Sequence, residues 1–97
     1  MLEKVKLALR INNSAYDNEI TDLINTCKKE LELAGIASSK LESSNNNSYD
    51  EMITQAIILY CKANFGFDND EAERYSKSYE SIKIFLCTNL EYREKTD

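Results

Sequence analysis

The residues that could most readily do chemistry are four closely spaced carboxylates, Asp68, Asp70, Glu71 and Glu73. Carboxylate oxygens at this density could bind a hard cation such as Ca²⁺. The stretch lacks the further ligands and the glycine of a calcium loop, whereas Asp68 and Glu71 have the N-cap and N3 spacing of a capping box. We therefore predict that this cluster begins a helix and binds no metal.

Other catalytic or cofactor-binding arrangements are missing from the sequence. The chain has no histidine, which is the commonest general base and metal ligand, and its two glycines, Gly35 and Gly66, are too far apart for a phosphate-binding loop. No serine lies in a nucleophile-elbow context, and no histidine could activate a cysteine. The sequence thus predicts no catalytic, cofactor-binding or metal-binding residues, and we expect a protein that is not an enzyme.

The three cysteines, Cys27, Cys61 and Cys87, are odd in number and form no CxxC pair. Each falls in a different predicted helix, and two lie on or beside apolar stripes. This usage favours reduced packing residues over a disulfide or a redox site. Because no apolar leader segment follows Met1, we expect the chain to be made and kept in a cytosol.

The charge balance of the sequence argues against tight binding to nucleic acid. The formal net charge is −5, and Lys28 and Lys29 are the one adjacent pair of basic residues. Tight binding to nucleic-acid phosphates requires clustered lysine and arginine, so the sequence disfavours it.

The elements that must position these residues are helices. Proline is absent and glycine rare, which argues against the frequent turns of an all-β fold. Residues 48–66 form the predicted central helix, apolar nearly all round and therefore wrapped by other helices. We predict Ser48 as its N-cap, Glu51 at N3, and Gly66 as its end. It is too short and too polar at its flanks to span a bilayer.

The remaining segments complete an all-α fold, a small bundle of about four helices. Residues 2–11 are predicted as a short amphipathic helix, and a second helix runs from an N-cap at Ser14 or Asp17 to about Ala34, where Gly35 closes it. The Ser/Asn-rich residues 37–48 predict a long mobile loop, either a tolerated connector or a segment that orders against a partner. A fourth helix follows the acidic cluster. We predict one domain over residues 1–90 and a charged, flexible tail over residues 91–97.

Three apolar residues, Leu33, Ile58 and Ile84, fall off the stripes of their predicted helices. Scattered apolar residues on a surface are normal and need no explanation. If two of the three lie in one patch, however, that patch would be a partner site.

Three long stretches of the chain carry a family resemblance: MLEKVKLALRI, YDNEITDLINTCKKELELAGI and MITQAIILYCKANFGFDNDEAERYSKSYESIKIFL. They resemble the head–tail connector (adaptor) family of tailed bacteriophages, whose members are often labelled DNA-packaging proteins. The resemblance covers about residues 1–90. Its most specific part is AIILYCKANFGFDNDEAERYSKSYESI, an apolar helix, an aromatic junction, an acidic turn and the next helix. The resemblance implies a structural virion protein that forms a ring below the portal protein, extends the DNA channel and docks a stopper or tail-completion protein.

In that family a loop and the C-terminal segment contact the portal and neighbouring subunits. The resemblance therefore implies that residues 37–48 and 90–97 are contact regions here, although the ending LEYREKTD departs from the short hydrophobic-basic signature of many connectors. With the off-stripe residues, the candidate interface comprises Leu33, Lys40, Leu41, Ile58, Ile84, Leu90, Tyr92 and Arg93.

A connector through which DNA slides should not bind that DNA tightly. We therefore expect an acidic inner wall, which would be contradicted if Lys28, Lys29 and Lys40 all faced the channel. The alternative function is a small cytosolic helical regulator that binds one protein partner without forming a ring. A helix-turn-helix DNA-binding protein is disfavoured, because its recognition helix would begin with the acidic residues around Asp70 and Glu71.

Overall fold

The computed structural model describes residues 1–41, 50–66 and 70–93. Within those ranges the chain forms five helices: α1 (Leu2–Leu9), α2 (Asp17–Leu33), α3 (Ser38–Leu41), α4 (Glu51–Asn64) and α5 (Ala72–Thr88). The β structure in this part of the chain is limited to one isolated antiparallel bridge between Ile36 and Arg93. The predicted all-α class is confirmed. The short helix α3 was not predicted.

Helix α4 is the centre of the bundle, as its nearly uniform apolar character predicts. It packs against α1, α2 and, most extensively, α5. Its Ile53, Ala56, Ile57 and Cys61 are buried and contribute to a single core. Burying one isoleucine side chain of this kind contributes about 1.5–3 kcal/mol, so this helix anchors much of the stability of the fold.

The start of α4 differs from the prediction. The N-cap is Asp50, whose carboxylate accepts hydrogen bonds from the amides of Met52 at 2.9 Å and Ile53 at 3.4 Å. Glu51 is consequently the first residue of the helix and not its N3 position. Ser48, the predicted N-cap, lies outside the described residues. An N-cap carboxylate reaches the amides two and three residues onward, and Asp50 has that placement here.

The end of α2 follows the prediction closely. Gly35 has φ +106°, and its amide donates to the carbonyl of Glu32, while the amide of Ile36 donates to the carbonyl of Leu31. These two bonds form a Schellman motif, and Ile36 and Leu31 are both buried in the core. Only glycine adopts this backbone conformation without strain, which is why the helix ends here.

The starts of α2 and α5 correct two predicted caps. Tyr16 stands at the N-cap of α2 without a capping side-chain hydrogen bond, so neither Ser14 nor Asp17 takes that position. Asp17 is the first helical residue and its carboxylate lies 2.8 Å from the Lys6 ammonium, which ties α2 to α1. Glu71 stands at the N-cap of α5, not at N3. Asp68, its predicted capping partner, lies outside the described residues.

Two segments expected to be mobile are ordered where the structure describes them. Residues 37–41 form the turn into α3 and the helix itself, and Leu41 is buried in the core. Residues 91–93, assigned to the flexible tail, fold back onto the bundle, where Tyr92 is only 8% exposed. Both differences have the same cause. Each segment is polar on average, but one of its side chains, Leu41 or Tyr92, is buried in the core and orders the backbone around it. The rest of the predicted loop, residues 42–48, and residues 94–97 lie outside the described ranges.

No helix in the described ranges combines the length and apolar character needed to cross a lipid bilayer.

Candidate interaction surface

Three of the candidate interface residues are strongly exposed on the surface of the protein. Leu33 is 76% exposed, Ile84 is 59% exposed and Leu90 is 80% exposed. The first two are apolar residues that lie off the stripes of their helices, so their outward placement agrees with the helical periodicity. Leu90 follows the end of α5, beyond the last helical turn that packs on the core.

Ile58 lies half-buried in a groove between α1 and α4. The groove, with a cavity volume of about 470 Å³, is lined by Lys4, Leu7 and Met52 as well as Ile58. Leu7 is 78% exposed there, and it is not among the predicted interface residues. It lies on the side of α1 away from Val5, so a helical wheel centred on Val5 would have identified it as an off-stripe residue.

The outer face of α5 carries a second apolar feature, because Phe85 is exposed next to Ile84. The alternating three- and four-residue apolar spacing of this helix predicts Phe85 on the same buried stripe as Tyr79 and Leu86. Tyr79 and Leu86 fill that stripe, and Phe85 lies roughly 100° around the helix from Leu86. The C-terminal half of α5 therefore presents two adjacent large apolar side chains to solvent.

Leu33 lies on the face of α2 that points away from the core. This face contains an open groove of about 550 Å³, which is lined by Asp22, Asn25, Thr26, Lys29, Glu30 and Leu33. Leu33 and Ile58 therefore line two different grooves.

The other candidates gather where α3 meets the C-terminal residues. Leu41 and Tyr92 are buried within the subunit, so neither offers side-chain surface to a partner in this conformation. Leu90 and Arg93 are exposed and share an open cavity of about 850 Å³ with Lys40. The ammonium of Lys40 lies 5.7 Å from the centre of the Tyr92 ring, a cation–π distance.

Tyr92 is tied to the start of α4. Its hydroxyl donates to the carboxylate of Asp50, with oxygen distances of 2.9 and 3.0 Å. Burial, together with the hydrogen bond and the negative charge of Asp50, raises the pKa of Tyr92 to about 12. The hydroxyl is therefore a donor throughout the physiological pH range.

A second polar cluster joins α2 to α5. The carboxylate of Glu30 accepts hydrogen bonds from the Tyr79 hydroxyl and the Lys83 ammonium, each at 3.0 Å. Burial raises the pKa of Tyr79, and the charge of Glu30 adds to this effect. For Lys83, burial lowers the pKa, but the hydrogen bonds with Glu30 and Glu80 outweigh it, and the net shift is upward. Both groups thus keep their protons and act as donors.

The cysteines are free, as predicted, and Cys27 and Cys61 are buried. Burial raises the pKa of each of these two thiols to about 12, so neither forms the reactive thiolate near neutral pH. No group of three or more metal-ligating side chains occurs in the described part of the chain.

Comparison with known proteins gives the family. The family model described as phage connector protein matches residues 1–93. No curated protein matched, and neither did any solved structure. The match covers every helix of the bundle, including the residues around Tyr92 that close it. The chain therefore belongs to the phage connector family, whose members are structural, virion-associated proteins and not enzymes.

Proposed function

We propose that this chain is a head–tail connector subunit that assembles into a ring below the portal protein. The ring would extend the DNA channel and dock a stopper or tail-completion protein beneath it. The subunit would be made in the host cytoplasm and act in the virion, without catalytic activity and without a cofactor. The family match over residues 1–93 carries this proposal.

The exposed residues support the assembly step. Leu33, Ile84 and Leu90 present large apolar side chains, and Ile58 lies in an open groove beside Leu7. Contacts through different surfaces of each subunit are heterologous, and such contacts generate a ring when the rotation between subunits closes. Ring closure sums many weak contacts, so no single large patch is needed. Lys40 and Arg93 add positive charge beside Leu90 for a portal or subunit contact.

The negative net charge of the protein agrees with a channel through which DNA passes without being bound tightly. With a net charge of −5, the ring would present few counter-charges to phosphate. Lys29 is paired with Glu32 at 3.3 Å, and Lys40 lies against the Tyr92 ring. Their positive charges are thus partly compensated within the subunit.

Native mass spectrometry of the purified protein over a concentration series tests the ring. We expect a closed multi-subunit species that increases with concentration. A protein that stays monomeric alone and also with purified portal protein would contradict the proposal and favour the regulator.

Variants at Ile84 separate assembly from folding. Because the side chain is 59% exposed, Ile84→Asp should change the free energy of unfolding by no more than about 0.5 kcal/mol while reducing ring formation. Ser76→Asp is the matched control, since it adds the same charge at an exposed position of α5. Loss of assembly in both variants, or simple unfolding of the Ile84 variant, would remove Ile84 from the proposed contact.

A further inference from the structure

The last described residues of the chain, 89–93, cross the end of the bundle; we call them the C-terminal strap. The strap begins with a turn in which the amide of Tyr92 donates to the carbonyl of Asn89 at 3.0 Å. The carbonyl of Tyr92 then accepts a hydrogen bond from the amide of Ala37 at 2.7 Å. Ile36 and Arg93 complete the pairing with an isolated antiparallel bridge. The strap is thus held by the backbone that links α2 to α3.

The side chain of Tyr92 attaches the strap to a second element. Its hydroxyl donates to both carboxylate oxygens of Asp50, and that carboxylate also accepts from the amides of Met52 and Ile53. One carboxylate therefore caps α4 and holds the strap. Each contact helps to fix the orientation that the other requires.

The strap also covers apolar surface. Tyr92, Ile36 and Leu41 belong to the buried core cluster at this end of the bundle, and the Lys40 ammonium lies near the Tyr92 ring. Displacing the strap would expose apolar area beside the Lys40 ammonium and would carry Arg93 away from this end of the bundle.

We propose that the C-terminal strap is a conformational device that opens together with the first turn of α4, through the shared carboxylate of Asp50. When the strap leaves, Asp50 loses its tyrosine partner, and the capped turn of α4 loosens; when that turn loosens, the strap loses its anchor. Coupling between two sites is reciprocal by thermodynamic necessity. A ligand of either site would therefore change the population of open molecules at both. The proposal does not depend on ring assembly.

Amide hydrogen exchange measured by NMR on the isolated subunit tests the coupling. Tyr92→Phe removes one hydroxyl and keeps the ring. We expect the amides of Ala37, Met52 and Ile53 to exchange about three- to tenfold faster, by a common factor, because they report on both ends of the coupled unit. The amide of Phe65, which donates to the Cys61 carbonyl at the other end of α4, should keep its rate.

Tyr75→Phe is the matched control. It also removes a tyrosine hydroxyl that donates to a carboxylate, that of Glu71 at 2.9 Å, but at the start of α5. This variant should leave the exchange of Ala37, Met52 and Ile53 unchanged. If Tyr92→Phe accelerates Ala37 alone, the strap opens without α4 and the proposal is wrong. Equal acceleration at Phe65 would mean general loosening, which also overturns it.

Asp50→Asn tests the same coupling by changing the acceptor at the start of α4 in place of the Tyr92 donor. Asparagine still caps a helix well but no longer offers a charged acceptor to the Tyr92 hydroxyl. Exchange at Ala37, which makes no hydrogen bond with Asp50, should therefore accelerate. If a variant fails to fold, exchange of the natural protein in low denaturant decides the question. The amides of Ala37, Met52 and Ile53 should then share one free energy of opening, and this value should be lower than that of Ile57 in the core. Different values for the three amides would contradict the coupling.

Discussion

At the scale of single residues, the carboxylate of Glu30 joins two helices that pack mainly against a third. It receives the Tyr79 hydroxyl and the Lys83 ammonium from α5, although α5 packs most extensively on α4. Tyr79 is buried, so its hydroxyl depends on Glu30 for a strong acceptor. Buried donors that lose their acceptor carry the full cost of desolvation.

Glu30→Ala should therefore destabilise the fold by about 1–3 kcal/mol, because it leaves the buried Tyr79 hydroxyl with only the weak contact to the Cys27 sulfur and leaves Lys83 paired with Glu80. Urea unfolding followed by circular dichroism measures this change. Glu32→Ala is the control: its partner Lys29 is exposed, and such surface pairs contribute about 0–1 kcal/mol. Similar losses in both variants would contradict a structural role for the Glu30 cluster.

The thiols give a second residue-scale prediction. Because burial raises the pKa of Cys27 and Cys61 to about 12, both should resist alkylation by iodoacetamide at pH 8 until the protein unfolds. Intact-mass measurements should show at most one label, at Cys87, in native buffer and three in denaturant. Cys87→Ser should then remove native labelling, and rapid labelling of either remaining thiol in that variant would contradict the buried placement.

At the scale of elements, the end of α2 depends on one backbone conformation. Gly35→Ala places a side chain at φ +106°, which should cost about 1–2 kcal/mol of stability even though a Cβ atom there would meet nothing within 4 Å. Thermal unfolding measures the loss. Gly35→Asn should lose less, since asparagine tolerates positive φ better than alanine. If Gly35→Ala left the stability unchanged, the Schellman turn would contribute nothing to the stability of the fold.

The helices could be predicted to the extent that local signals specify them. Gly35 and the apolar spacing of α2 lie within a few residues of the structure they determine, and the end of that helix was predicted correctly. The choice of Asp50 as N-cap could not be made locally, because its carboxylate is also held by Tyr92, 42 residues away in the sequence. Leu41 and Tyr92 were assigned to mobile segments for the same reason: their burial depends on contacts between distant parts of the chain.

The exposure of the apolar side chains was predictable only in part. Leu33 and Ile84 could be identified because exposure follows from helical spacing once the buried stripe is known. Phe85 could not, since its position beside Leu86 makes both residues plausible members of the stripe, and packing decides between them. Nothing in the local sequence around Glu30 indicated its partners Tyr79 and Lys83 on α5.

At the scale of the whole molecule, the proposed ring assembly would be opposed by the net charge. Each subunit has a net charge of −5, so neighbouring subunits in the proposed ring repel one another while their exposed apolar side chains attract. Raising the ionic strength from about 10 mM to about 150 mM shortens the Debye length from about 30 Å to about 8 Å. That change screens the repulsion and leaves apolar contacts intact.

We therefore expect the assembled fraction, measured by analytical ultracentrifugation at fixed protein concentration, to rise with salt over this range. Ile84→Asp should assemble poorly at both salt concentrations, because it removes apolar contact area as well as adding charge. If salt instead dissolves the assembly, charge pairs involving residues such as Lys40 and Arg93 would dominate the contacts, since screening weakens exposed ion pairs. The sign of the salt effect thus distinguishes a ring held by its apolar residues from one held by its charges.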